Sequence, residues 1–294
     1  MGKAVFMNNS EKKFTTVEIS GKESLSVRFL YNTSFGRAVL KLLVKPSLSN
    51  LMGKFMNTAF SRLWIKGFIK RNNIDMSQYE DRKFNSFNDF FTRKILPGKR
   101  EFDTAPSVFA SPCDSKLSVY RINSDSVFNI KHCKYTVGDL ICDENLAEEY
   151  INGYCLIFRL STDDYHRYAH IDNGKVTSVN PIKGILHTVR PIAQDRYPIF
   201  AQNSREYTVI ETENFGKIVQ IEVGAMLIGR ISNIKDQTLV TRGCEKGMFE
   251  FGGSTIIVLV KENTVEIDNE LLENTENNKE SIVKMGMQIG CKII

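Results

Sequence analysis

The chain has 294 residues, 42% apolar and 25% charged, with 39 Lys and Arg against 34 Asp and Glu for a net charge of +5. This composition supports one large or two modest globular domains and excludes a disordered, collagen-like or disulfide-stapled chain. No apolar run reaches the roughly 18 residues of a spanning helix, and the N-terminal residues show no apolar signal region. Phe6 stands where an N-myristoylation motif needs Ser or Thr. Cysteines 113, 133, 142, 155, 244 and 291 form no C-x-x-C pair and read as reduced thiols of a cytosolic protein.

In chain order, the first signal is an uneven charge. Ser24 to Ile74 contains no Asp or Glu but carries Arg28, Arg37, Lys41, Lys45, Lys54, Arg62, Lys66, Lys70 and Arg71. Such a basic excess seeks anions, either nucleic acid or an acidic membrane face. Two helical patterns, over 36–45 and 49–71, are broken at Pro46. In the second, Leu51, Phe55, Phe60, Leu63, Trp64 and Phe68 recur at helical spacing beside the stripe Arg62, Lys66 and Lys70. A basic helix with Trp, Phe and Leu on its other side suits a bilayer interface. The same pattern also fits a helix packed on the core with a solvated basic edge. A third helix is predicted from Ser86, with Ser86 and Asp89 as a capping box and Pro97-Gly98 as its stop.

Beyond about residue 105 the texture becomes β-like. Strands are predicted at 154–160, 205–211, 217–223, 225–231 and 254–260, separated by turns such as Asp172-Asn173-Gly174 and Asn214-Phe215-Gly216. The predicted class is α+β: a mainly helical, membrane-associating region over 1–104, then a β-rich, sandwich- or barrel-like catalytic domain over 105–294. The acidic, Asn-rich stretch from Glu262 to Glu280 is expected to be a surface connection. No G-x-G-x-x-G or P-loop pattern occurs, which argues against a nucleotide fold.

The candidates for chemistry are few. The histidines are His132, His166, His170 and His187. His166 and His170 have the spacing of a zinc helix but lack its Glu, and Arg167 between them favours an anion, so no metal is expected. Asp163-Asp164-Tyr165-His166-Arg167 follows a predicted strand, and an Asp near a His can fix its tautomer. Asp114, in Ser-Pro-Cys-Asp-Ser (111–115), is a further carboxylate. In Phe251-Gly252-Gly253-Ser254-Thr255, two glycines leave the Ser254 hydroxyl beside the Gly253 carbonyl without side-chain bulk. An activated hydroxyl there can attack that carbonyl, shift the acyl group from N to O, and by β-elimination and hydrolysis leave a pyruvoyl group. The plain alternative is a Gly-Gly turn entering a core strand.

Together these stretches resemble the phosphatidylserine decarboxylases, pyruvoyl-dependent enzymes of phospholipid synthesis. The resemblance is carried by FNDFFTRK (87–94), SPCDS (111–115), DDYHR (163–167), GILHTVRPIA (184–193), NSREYTV (203–209), VGAMLIG (223–229) and KGMFEFGGST (246–255), in the family's order. It implies a proenzyme that cuts itself between Gly253 and Ser254 into a β chain, 1–253, and an α chain, 254–294, which stay together and can associate further. Ser254 would become the pyruvoyl cofactor. Asp114 and His166 would form the relay that activates it, with Asp164 as a second carboxylate. The mature enzyme would form a Schiff base with phosphatidylserine and release CO2 and phosphatidylethanolamine, with His166 as proton donor. Arg167 and His170 are candidates for phosphate contact, and His170 or His187 for the family's second histidine, which usually lies three residues after the first, where Ala169 stands here. Ser115 replaces the family's usual Gly, and Arg230 its Gly or Ser. The implied partners are phosphatidylserine and an anionic membrane surface, not nucleic acid, with the protein peripheral on the cytoplasmic face. The rival readings are another pyruvoyl enzyme, a serine hydrolase using Ser254, His166 and Asp114 without cleavage, or a non-catalytic lipid- or nucleic-acid-binding protein.

Overall fold

The computed structural model describes residues 13–19, 25–123, 125, 127–130, 133–226, 230–250 and 254–293. Phe251, Gly252 and Gly253, His132 and most of 1–24 lie outside that description, as do Leu227 to Gly229 of the strand expected at 225–231.

Helices dominate the beginning: α1 (Leu25–Asn32), α2 (Ser34–Leu43), α3 (Pro46–Met56), α4 (Ile65–Arg71) and α5 (Phe87–Phe91). Pro46 begins α3 rather than merely interrupting a longer helix, because its missing N–H is one that a first-turn residue does not use. The expected single helix over 49–71 is three pieces. α3 ends at Met56, a 3-10 turn covers Ala59–Trp64, and α4 follows. The break sits at Asn57 and Thr58, whose side chains bond back to the carbonyls of Gly53 and Phe55. The helix after Ser86 forms with the Ser86 hydroxyl accepting from the Asp89 N–H, but it ends at Phe91. The Asp89 carboxylate turns away to Arg82 and the Asn85 N–H.

The strands that frame the site are, in chain order, β1 (Thr16–Glu18), β2 (Ser115–Arg121), β3 (Tyr154–Leu160), β4 (Arg167–Ala169), β5 (Gly174–Ile182), β6 (Arg205–Thr212), β7 (Gly216–Val223), β8 (Ile231–Asn233), β9 (Leu239–Val240), β10 (Glu245–Phe249), β11 (Ser254–Val260) and β12 (Lys279–Val283). Nine of them build one antiparallel sheet in the order β1-β12-β2-β3-β11-β7-β6-β5-β9. A three-stranded sheet, β8-β10-β4, lies beside it. The large sheet has two free ends, β1 and β9, so the architecture is a mixed helix-and-strand one built on an open sheet rather than a closed barrel.

Central β11 explains the sheet's depth. Its sequence STIIVLV is buried at every position, as a strand covered on both faces must be. Ile257 and Leu259 face a core shared with Val219, Ile221, Tyr31 and Leu40. Ile256, Val258 and Val260 face a second core with Leu156, Phe158, Phe249 and Leu271. A smaller cluster joins Met56 of α3 to Phe87, Phe90 and Phe91 of α5.

The acidic stretch 262–280 is more than a connection. It contains the strand Val265–Ile267 and the helix Asn269–Glu276, started by the Asp268 side chain. Leu271 and Asn274 of that helix are buried, because its apolar side closes the second core over β2.

Candidate active site

The register of the large sheet brings the candidate residues to one end. Ser254, the first residue of β11, lies opposite Leu160, the last of β3, and Val223, the last of β7, lies opposite Thr255. Lys116 of β2 lies opposite Arg159 of β3, which sets Asp114 just beyond the same end. The turn leaving β3 carries Asp164 and His166 into β4. The N–H of Phe249, at the end of β10, donates to the His166 carbonyl at 2.9 Å, so the segment leading to Ser254 departs from beside His166.

His166 is fully buried, with its ring 4.2 Å from that of Phe91 between centroids. The Phe-Phe pair of α5 thus supplies the imidazole's packing wall. His166 Nδ1 is 2.9 Å from the Asp164 carbonyl oxygen. A carbonyl can only accept, so Nδ1 carries the proton and Nε2 the lone pair. Burial pushes the imidazole down to about 3, against the Asp164 carbonyl, which favours the charged form, and with Arg93 acting in the same sense as burial. His166 is therefore neutral near pH 7, with a basic nitrogen and no charge.

Buried polar atoms at this end that lack hydrogen-bond partners among the described residues include His166 Nε2, Ser254 Oγ and Thr255 Oγ1. Native interiors rarely leave such atoms unpaired, and reactive sites are one place where they do.

The carboxylates are placed differently from a simple relay. Asp114 is bidentate to Arg100 (Nε to Oδ1 2.8 Å, Nη2 to Oδ2 2.7 Å) and also accepts from Lys284 Nζ at 3.1 Å and the Met285 N–H at 2.9 Å. Burial would raise its pKa, but these four donors outweigh it and hold Asp114 below the usual carboxylate range. Its partners are thus Arg100, Lys284 and Met285 rather than His166. Asp164 accepts from Lys116 Nζ at 2.6 Å and from the Ser161 N–H at 2.7 Å, which closes the turn that presents His166. Burial raises Asp164, against the pull of Lys116.

The other sequence candidates are engaged in structure. Arg167 donates to the Thr92 carbonyl at 2.8 Å and to Glu245 at 2.6 Å, tying β4 to α5 and β10. His170 is buried, with Nε2 2.9 Å from Gln237 Oε1 and Nδ1 unpartnered; burial lowers it to about 4. His187 meets the Tyr31 hydroxyl at 3.2 Å and stacks on Tyr197, which docks α1 onto the β-rich part; burial lowers it also to about 4.

A family-wide sequence profile described as phosphatidylserine decarboxylase matches residues 87–291. The chain belongs to the phosphatidylserine decarboxylase family. A relative named phosphatidylserine decarboxylase proenzyme 2, from Clostridium acetobutylicum, is 50% identical over 265 residues, 90% of this chain and 91% of its own. Proteins named phosphatidylserine decarboxylase proenzyme from Ruminiclostridium cellulolyticum and Clostridium botulinum are 39% and 37% identical, covering 96% and 98% of both chains.

Residues that the sequence reading did not single out also surround the site. Arg100, Lys116 and Lys284 serve its two carboxylates. A buried ion pair, Lys246 Nζ to Glu222 Oε2 at 2.6 Å, links β10 to β7, and Asn233 of β8 donates to the same oxygen at 3.0 Å. Glu222 lies opposite Ile256, two residues along β11 from Ser254. Sequence offers one sign of such residues, a charge at an inward position of an apolar strand, as in KIVQIEV. No group of three or more His, Cys, Asp or Glu among the described residues could hold a metal.

The pyruvoyl group expected from the sequence would derive from Ser254, whose surroundings fit it. Ser254 is buried at a strand start, its hydroxyl is engaged by no competing partner among the described residues, and a neutral imidazole lies at the same sheet end.

Proposed function

We propose that this chain is a self-cleaving proenzyme that decarboxylates phosphatidylserine to phosphatidylethanolamine. The observation that carries this is that one end of the sheet holds both a buried Ser254 hydroxyl and a buried neutral His166, with the Ser254 Oγ and the His166 Nε2 each left without a hydrogen-bond partner among the described residues. His166 Nε2 accepts the Ser254 proton as Oγ bonds to the Gly253 carbonyl carbon, and then returns it to the Ser254 nitrogen as the Gly253–Ser254 C–N bond breaks. The resulting ester loses the Ser254 α proton, and the Cβ–Oγ bond breaks to free the Gly253 carboxylate. Hydrolysis of the dehydroalanine then releases ammonia and leaves pyruvoyl at position 254.

That group supplies a ketone for the substrate amine and an electron sink as CO2 departs. The chain's own residues do the rest. His166 exchanges protons at Nε2, the nitrogen that the Nδ1 contact with the Asp164 carbonyl leaves with a lone pair. Lys116 and the Ser161 N–H hold Asp164, and with it the turn that aims His166. Arg100 and Lys284 anchor Asp114. Arg100 belongs to the proposed β chain and Lys284 to the α chain, so Asp114 also bridges the two products.

A membrane-surface setting is part of the proposal. No helix among the described residues is long and apolar enough to cross a membrane. Yet nine of the thirteen exposed large apolar side chains among the described residues lie between Leu25 and Trp64, in the acid-free basic stretch. A patch that combines exposed Phe, Leu and Trp with Lys and Arg suits an anionic bilayer interface.

Intact mass of the purified protein tests the mechanism. Two chains split at 253/254, the smaller with a blocked N-terminus, are expected, and Ser254→Ala should give one uncut 33.5 kDa chain without activity. An intact Gly253–Ser254 bond in a protein that decarboxylates phosphatidylserine normally would overturn it.

A further inference from the structure

A cavity of about 590 Å³ opens between α3 and the segments that carry Arg230 and Glu250. One stripe of α3 lines it, including Ser49, Asn50 and Lys54. These positions share a face of a helix with 3.6 residues per turn, and Leu51 and Phe55 fall on the other side, where both are exposed. The same helix therefore presents polar groups to the cavity and apolar groups to the outside.

The cavity's chemistry is specific. The Ser49 hydroxyl has no hydrogen-bond partner among the described residues although the residue is only 6% exposed. Lys54 makes no ion pair among the described residues, and Arg230 meets Glu250 only loosely, at 3.7 Å. Two cations and one carboxylate match a ligand with two negative charges and one positive. A serine phosphodiester has that pattern: phosphate, carboxylate and ammonium. Glu250 precedes Ser254 by four residues, so chain length alone keeps this side of the cavity within about 14 Å of the reacting position.

We infer that this cavity seats the phosphoserine head group of the lipid. Lys54 and Arg230 take the phosphate and the carboxylate and the Ser49 hydroxyl donates a further hydrogen bond, which leaves the amine free for the ketone at position 254, while the acyl chains leave past Leu51 and Phe55. The inference rests on the proposed decarboxylation and assigns its specificity to residues outside the catalytic turn. It moves phosphate recognition away from Arg167, whose guanidinium is already bound to Glu245 and Thr92.

The test uses monomeric dihexanoyl-phosphatidylserine without vesicles, so that membrane attraction plays no part. Lys54→Ala and Arg230→Ala should each self-cleave fully and raise KM at least about fivefold, as expected for loss of a charge-assisted hydrogen bond, with kcat within about twofold of wild type. Lys54→Arg should restore KM, and a merely structural role would not produce this split. Glycerophosphoserine should compete, and the competition should weaken in both variants. Unchanged KM in both variants, beside a wild type that cleaves and decarboxylates, overturns the head-group site. So does competition by inorganic phosphate as strong as that by glycerophosphoserine, which would mark a free-anion site. An uncut, inactive wild type refutes the enzymatic reading instead. Calorimetry with glycerophosphoserine then decides the cavity: binding weakened by both substitutions sustains it, and no binding overturns it.

Discussion

At the scale of single residues, burial keeps three imidazoles neutral. Burial lowers His166 to about 3, and His170 and His187 to about 4, against about 6.5 in an unfolded chain. Below that value the unfolded chain binds protons that the folded one refuses, so stability falls as pH falls from about 6.5 toward 4. Burial raises Asp164 and Glu222, which act in the opposite sense and offset part of the loss. The net expectation at pH 5 is a loss on the order of a few kcal/mol relative to pH 7. Denaturant titrations at the two pH values check this, and His170→Gln should flatten the dependence. Equal stability at both values would mean that the three rings accept protons in the folded state. The sequence made part of this arrangement readable. DYHR and GGST marked His166 and Ser254 because their chemistry is local. The partners of Asp114 were not readable, since Arg100, Lys284 and Met285 come from distant parts of the chain and meet only through the register of β12 beside β2.

At the scale of elements, β11 couples processing to stability. Its neighbours β3 and β7 both come from the proposed β chain, and every residue of β11 is buried between them and the two cores. Cutting before Ser254 removes no ladder hydrogen bond of β11, so the α chain has no route out short of unfolding the sheet. After self-cleavage the two chains should co-elute on size exclusion and separate only in denaturant, with one shared unfolding transition. An α chain lost on dilution in native buffer would contradict the central position of β11. The boundaries of β3 and β11 followed from composition alone, because a bounded apolar run rich in β-branched residues has few alternatives. The helix Asn269–Glu276 was missed for the opposite reason. Acidic and Asn-rich residues mask its few apolar positions, and the contact of Leu271 with the second core decides its form.

At the scale of the whole molecule, the charge asymmetry of the sequence acquires a location. Phe60 and Leu63, 77% and 79% exposed in the turn Ala59–Trp64, are held outward while Ser61 is buried, bonding to the Met56 and Thr58 carbonyls and accepting from the Phe87 N–H. That arrangement projects apolar side chains from a fixed base near Arg62 and Lys66. Insertion of two such side chains contributes roughly 1.5–3 kcal/mol each, and each nearby cation about 1 kcal/mol at an anionic surface. The double variant Phe60→Glu/Leu63→Glu should keep its thermal midpoint, self-cleave, and turn over monomeric dihexanoyl-phosphatidylserine as wild type does. Its binding to vesicles containing phosphatidylserine should weaken at least about tenfold. Wild-type binding should decline with added salt and be much weaker to phosphatidylcholine vesicles, because the attraction of Lys and Arg is screened or absent. Co-sedimentation at two salt concentrations measures all of this. Vesicle binding that ignores both the salt and the double substitution would return this face to an ordinary solvated surface, and the lipid would then have to reach the cavity beside α3 by another side.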